Sequence, residues 1–180
     1  MEWLSSFFYA LSEFIPRLLH VTEDMRCIKL ARGSHRKLDP GYHVYWPLIH
    51  EIRTCYITRQ ELDLPDQILT TTDDKTIVVS TSVVYRISGV TKALISTQDY
   101  ESTTIEVAQR AVKQLVSSSS FEDLLAPDHN IEDTLIALMQ KDLHNYGLKV
   151  DNAFFTSLSK SKSHHITGVY LNNEQPTNKL

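Results

Sequence analysis

Wound at about 100° per residue, the opening segment MEWLSSFFYALSEFIPRLLH separates into two faces. Trp3, Leu4, Phe7, Phe8, Ala10, Leu11, Phe14, Ile15, Leu18 and Leu19 share one half of the circumference. Glu2, Ser5, Ser6, Ser12, Glu13 and Arg17 take the other, with Tyr9 the aromatic exception. The pattern predicts an amphipathic helix over residues 1–20, kinked or ended by Pro16, which lacks an N–H and crowds the preceding turn. Periodicity leaves two uses open: a helix packed on the protein's own core, or one lying in the plane of a membrane interface with Trp and Phe among the acyl chains. A spanning helix is excluded, because the longest uncharged run, Trp3 to Ser12, is about half the ~20 residues required. Glu2, Glu13, Arg17 and the lack of a small-residue cleavage site also fit a signal peptide poorly.

Beyond Val21 the period shortens. Met25 to Ala31 alternates, Arg32-Gly33-Ser34 and Asp39-Pro40-Gly41 are turn signals, and the aromatic run Tyr42 to Trp46 follows. Ile49 to Arg59 predicts another strand. The polar turn Thr71 to Lys75 then leads into Thr76 to Ile87, where Ile77, Val79, Thr81, Val83, Tyr85 and Ile87 share one face and Ser80, Ser82 and Arg86 the other. After Gly89 helical spacing takes over: Ile105, Ala108, Val112, Leu115 and Val116, then a short helix to Leu125 opened by a capping box of Ser119 with Glu122. Ile131, Leu135, Leu138, Met139, Leu143 and Tyr146 form a further stripe, with Gly147 placed as a left-handed C-cap. Leu148 to Leu158 returns to extended structure, with Leu148, Val150 and Phe154 expected inward. The order predicts an α+β fold: an antiparallel sheet-rich N-terminal half over 21–87, then helices and a closing strand over 88–159, with a flexible polar tail at 160–180.

Composition narrows the function. The chain has 180 residues, 42% of them hydrophobic, with 5 Gly and 6 Pro, which fits one globular domain and excludes a disordered or collagen-like chain. Eighteen Lys+Arg against 22 Asp+Glu give a net charge of −4, which argues against a nucleic-acid binder. Two cysteines, Cys27 and Cys55, are too few for a disulfide scaffold and read as small buried hydrophobes; acylation of Cys27 is a weaker alternative. GxSxG, HExxH, GxxxxGK[ST] and GxGxxG are all absent. Asp73 and Asp74 read as turn residues, and His164 and His165 in the tail lack the rigid surroundings a metal needs. No catalytic residue, cofactor or metal is expected.

The charge distribution adds one feature. Arg26, Lys29, Arg32, Arg36 and Lys37 lie between Met25 and Leu38 with no acid among them. Near an anionic leaflet each basic residue contributes about 1 kcal/mol. An apolar face plus a polybasic patch is the two-signal arrangement of stable peripheral attachment. The expected membrane-binding set is therefore Trp3, Leu4, Phe7, Phe8, Leu11, Phe14, Ile15, Leu18, Arg26, Lys29, Arg32, Arg36 and Lys37, with anionic lipids as partners. The bland alternative is a solvated strand.

In order along the chain, a set of short motifs resembles the stomatin–prohibitin–flotillin (SPFH, band 7) family. Ile28-Lys29-Leu30-Ala31-Arg32-Gly33, Leu38 to His43 and Trp46-Pro47-Leu48-Ile49 are similar to its opening strand and Pro-Gly-aromatic-His turn. Thr70 to Asp73, Thr76 to Val79 and Val83 to Ile87 are similar to its Thr-x-Asp turn and central strand. Ala108 to Val112, Phe121 to Leu125 and Tyr146 to Val150 match its later helices and closing strand. The resemblance implies a non-enzymatic scaffold on one membrane face, cytoplasmic by expectation, that oligomerises with itself or related SPFH proteins and organises or regulates membrane proteases or channels. The family's hydrophobic anchor is reduced to residues 1–20 and its C-terminal coiled coil is missing, so dimers or small oligomers are expected rather than large rings. The rival reading is a soluble oligomeric adaptor whose N-terminal amphipathic helix binds a partner protein.

Overall fold

The computed structural model describes residues 15–126 and 131–160. Seven strands come first: β1 (Arg17–Val21), β2 (Met25–Ala31), β3 (Ser34–Leu38), β4 (Gly41–Tyr45), β5 (Glu51–Tyr56), β6 (Gln60–Thr70) and β7 (Thr76–Ile87). Helices α1 (Val90–Ile95), α2 (Tyr100–Ser118), α3 (Phe121–Leu125) and α4 (Ile131–Leu143) follow, then a 3-10 turn (His144–Tyr146) and β8 (Leu148–Lys160). Every sheet is antiparallel: β1-β4, β3-β2-β5 and β6-β7-β8. The α+β class and the order of strands, helices and closing strand agree with the sequence pattern.

The three sheets are layered by strand alternation. Ile28, Leu30 and Cys55 face the main core, which also takes the inward side of β7 and the apolar faces of α1 to α4. On the other side of the β3-β2-β5 sheet, Cys27, Leu38 and Val21 form a small satellite cluster with Leu19, Met25 and Ile52. This cluster seats the β1-β4 ribbon on the rest of the molecule. Cys27 is 1% exposed, so acylating it would require the cluster to open. Burial pushes both thiols up, that of Cys55 to about 11, and they remain protonated small hydrophobes.

Sequence and structure part at several points. Arg17–Val21 is a strand paired with β4 (Leu18 opposite Val44, Leu19 opposite His43), so the predicted helix does not continue through Leu18 and Leu19. Pro16 removes the helical N–H, and Leu19 and Val21 bury at period two instead. Residues 1–14 lie outside the described residues, as does the polar tail from 161 on, with His164 and His165. The sequence pattern named no strand across β6, because Pro65 and three acids break its alternation. The structure absorbs Pro65 in a bulge between Leu64 and Gln67 on this edge strand, and Asp66 there accepts from Ser80 Oγ at 2.6 Å. Phe154 is half-buried rather than a core residue. Bulges in β8 leave Asp151 and Thr156 unpaired and shift the inward set to Leu148, Val150, Ala153, Phe155 and Leu158. The first bulge also aims Asp151 at Arg59 (3.1 Å) and Arg86 (3.3 Å).

Two junctions close the fold. The predicted capping box shifts by one residue: Ser120 caps α3, and Asp123 returns the bond. Beside it, Asp73 in the β6–β7 turn accepts from Thr71 Oγ1, from Lys75 Nζ at 2.6 Å and from the Phe121 N–H at 3.2 Å. The second junction is Gly147 (φ +74°), whose carbonyl accepts from the Ser88 N–H (2.9 Å), the Gly89 N–H (2.8 Å) and Ser88 Oγ (3.1 Å). A Cβ there would lie 2.4 Å from the Gly89 oxygen. Nearby, the Gln140 side chain donates to the Leu148 carbonyl (3.1 Å) and accepts from the Val150 N–H (2.8 Å), filling the open edge of β8 as a neighbouring strand would.

Gly147→Ala combines a positive φ with that overlap and should cost about 2 kcal/mol or more. This corresponds to a Tm lower by roughly 4–8 °C; an unchanged Tm in calorimetry would refute the tight junction. The Lys75 ammonium, then Thr71, hold the Asp73 carboxyl well below the usual carboxylate range. A depressed folded pKa means that this stabilisation is complete above the unfolded value of about 3.9 and is lost as pH falls toward the folded one. Asp73→Asn should therefore lower Tm at neutral pH, with the deficit shrinking in strong acid. A deficit independent of pH would contradict the assignment.

Candidate functional site

The β1-β4 ribbon has one face on the satellite cluster and one in solvent. On the solvent face alternation places Leu18 and His20 opposite Val44 and Tyr42, and the His20 and Tyr42 rings stack at 4.6 Å. Trp46 continues the same face beyond the strand, and the loop that follows carries Leu48 and Ile49. Exposure is high throughout: Tyr42 71%, Leu18 67%, Leu48 61%, Val44 58% and Trp46 47%. Ile15, just before β1, is 57% exposed. Single exposed apolar residues are common, but a run of this length on one face makes a candidate interaction surface. The loop is folded rather than trailing, since the Ile49 and His50 N–H groups both bond the Trp46 carbonyl (3.1 and 2.9 Å).

Between this ribbon and the β2-β3 hairpin lies a cavity of about 490 Å³, lined in part by Lys29, Ser34, Arg36, Lys37, Asp39, His43 and His50. Lys29 and Arg36 are directly opposite each other in the β2-β3 ladder, an unfavourable placing for two like charges. Among the described residues, none of Lys29, Arg36 and Lys37 makes an ion pair. Lys29 Nζ reaches only the Val44 carbonyl, at 3.4 Å.

The five cations of the sequence patch do not form one cluster. Lys29 and Arg36 share the face of the hairpin that meets the cavity, whereas Lys37, opposite Ile28, borders it from the alternate face. Arg32 occupies the hairpin tip at φ +46° and borders a groove with Pro47, Leu48 and Ile49, next to the apolar loop. Arg26 belongs elsewhere: it lies in a separate groove with Ile57, Arg86 and Lys149, and its guanidinium bonds the Glu23 and Met25 carbonyls. Even-numbered β2 residues turn toward the main core and odd-numbered ones toward the ribbon, which separates Arg26 from Lys29. Of the apolar residues named from sequence, Ile15 and Leu18 are exposed; Trp3, Leu4, Phe7, Phe8, Leu11 and Phe14 lie outside the described residues. Sequence reasoning missed Tyr42, Val44, Trp46, Leu48 and Ile49 as surface residues. Their alternation with His43 and Tyr45 was the available signal. Alternation alone does not say which face is covered, and only the pairing with β1 shows an outer face without cover among the described residues.

No helix among the described residues is long and apolar enough to cross a membrane. No group of three or more His, Cys, Asp or Glu among them is placed to hold a metal ion.

The sequence model described as "SPFH domain / Band 7 family" matches residues 20–163. An uncharacterized protein of Methanocaldococcus jannaschii is 24% identical over 115 residues, covering 64% of this chain and 58% of the relative. One from Archaeoglobus fulgidus is 23% identical over 158 residues, covering 83% and 61%. Stomatin-3 of Caenorhabditis elegans is 25% identical over 112 residues, covering 62% and 42%. The matched stretch is thus less than two thirds of the length of each of these relatives.

Proposed function

The chain belongs to the SPFH domain / Band 7 family, and from that footing we propose that it is a non-enzymatic scaffold that docks on one face of an anionic membrane. The observation that carries this reading is the apolar face of the β1-β4 ribbon and the Pro47–Ile49 loop, exposed among the described residues, with Arg32 beside it. Lipid is the occupant that suits both parts. Trp46 and Tyr42 are amphipathic rings of the kind that settle at headgroup level. Leu18, Val44 and Leu48 would enter the acyl boundary, and Arg32 would meet anionic headgroups. The apolar residues Trp3, Leu4, Phe7, Phe8, Leu11 and Phe14 precede β1 directly in the chain and would add to the same surface. Held this way, the α+β body is free to bind a second copy, a related SPFH protein, or a membrane protease or channel.

Val44→Glu with Leu48→Glu places two charges on exposed positions and should leave the fold intact. Co-sedimentation with vesicles containing phosphatidylserine should fall at least about tenfold, because inserting each charge opposes apolar burial of about 25 cal/mol per Å². Raising salt should weaken the wild type partly but not completely, since apolar burial is not screened. Undiminished binding of the double variant would remove the ribbon from the docking surface. A monodisperse wild type that ignores vesicles would favour the soluble adaptor instead.

A further inference from the structure

The cavity beneath the ribbon has features that docking by apolar insertion does not use. Two cations, Lys29 and Arg36, face it from one side of the hairpin against one lining carboxylate, Asp39, and neither is ion-paired among the described residues. Neither histidine is free to serve as a mere filler. His43 Nε2 meets the Asp39 main-chain carbonyl at 2.7 Å, and a carbonyl only accepts, so that nitrogen carries a proton. His50 Nδ1 accepts from the Trp46 N–H at 3.2 Å, which places the proton of the neutral ring on Nε2 and leaves it as an uncommitted donor. Lys29, half-buried and directly opposite Arg36, has only a long bond to the Val44 carbonyl. Like charges held face to face without a counterion are electrostatically unfavourable, and an anion between them relieves the repulsion.

We propose that this cavity binds a phosphate group, with Arg36 supplying a planar fork, Lys29 a point charge, and His50 a neutral N–H donor. A guanidinium matches two phosphate oxygens at once, which selects a tetrahedral oxyanion over a halide. The volume of about 490 Å³ admits a small polar substituent on the phosphate as well as the group itself. A lipid headgroup and a free phosphate share this chemistry. The proposal stands apart from the docking reading, because it concerns the inner side of the ribbon rather than the exposed apolar side.

The test follows backbone amide shifts of the full chain by NMR during titration with inorganic phosphate, and with sodium chloride at matched ionic strength. Phosphate should produce saturable shifts centred on Lys29, Arg36 and His50, where chloride produces none. Lys29→Gln with Arg36→Gln should weaken that binding about tenfold or more, as loss of charged hydrogen bonds predicts. Arg110→Gln with Lys113→Gln removes the same charge from α2 and should leave it unchanged. The cavity variant relieves repulsion, so its fold should persist, and its dispersed spectrum verifies this in the same experiment. Shifts that do not saturate, or that both double variants reduce equally, would overturn the proposal. A second arm uses phosphatidylcholine vesicles with and without phosphatidic acid. A phosphatidic-acid preference that the cavity variant loses, and that inorganic phosphate does not displace, assigns the site to a lipid headgroup; displacement by inorganic phosphate assigns it to the free anion. Loss of vesicle binding in Leu18→Glu/Leu48→Glu, neither of which lines the cavity, with phosphate shifts intact separates failure of one site from failure of the other.

Discussion

The Gly147 carbonyl, accepting three hydrogen bonds from Ser88 and Gly89, is the contact on which the rest of the architecture hangs. It joins the end of β7, the start of α1 and the start of β8 at one point. Only two glycines permit the approach, since the Cβ of any other residue at 147 would meet the Gly89 oxygen. From there α1 runs back over the β3-β2-β5 sheet, and Arg53 Nη1 bonds the Leu94 carbonyl at 3.0 Å. That sheet carries the β1-β4 ribbon on its far side through the Val21–Cys27–Leu38 cluster. The exposed face of the ribbon is therefore positioned by a series of junctions that begins at a helix end far along the chain.

Stability is distributed unevenly along this series. The main core joins two sheet faces and the four described helices, whereas the satellite cluster has three buried residues and three half-buried supporters. A thin core under a two-stranded ribbon is the low-stability end of a molecule, where local opening is least costly and where binding surfaces are drawn from. The Lys29–Arg36 pair adds to this by opposing charges of the same sign inside the hairpin. Natural proteins break such local rules mainly where a ligand or surface compensates. By contrast the β6-β7-β8 end is closed against unwanted pairing: β6 and β8 are bulged, and the Gln140 amide occupies the β8 edge at Leu148 and Val150.

The periods of two and 3.6 were enough to read β7 with its correct buried face, the stripes of α2 and α4, and the Gly147 cap, because these elements bury one side against a single large core. The same reasoning failed wherever the inward direction is set by pairing. Phe154 lost its place to a bulge, β6 was hidden by Pro65, and the helical pattern of residues 1–20 ran on into Leu18 and Leu19, which pair with β4. Both a helix and a strand accommodate Leu18 and Leu19 equally well over so short a stretch, and the partner strand decides.

Charge was legible as composition and not as geometry. The sequence by itself determined that five cations and no acid lie between Met25 and Leu38, that the fold is α+β, and that an ordered set of short motifs matches the SPFH pattern. Only the tertiary structure decided that Arg26 leaves the group, that Lys29 and Arg36 face one cavity, and that Tyr42, Val44 and Trp46 have no cover among the described residues. The reason is that a strand offers its two faces by strict alternation, whereas which face meets a neighbour depends on long-range pairing between β1 and β4 and between β2 and β5.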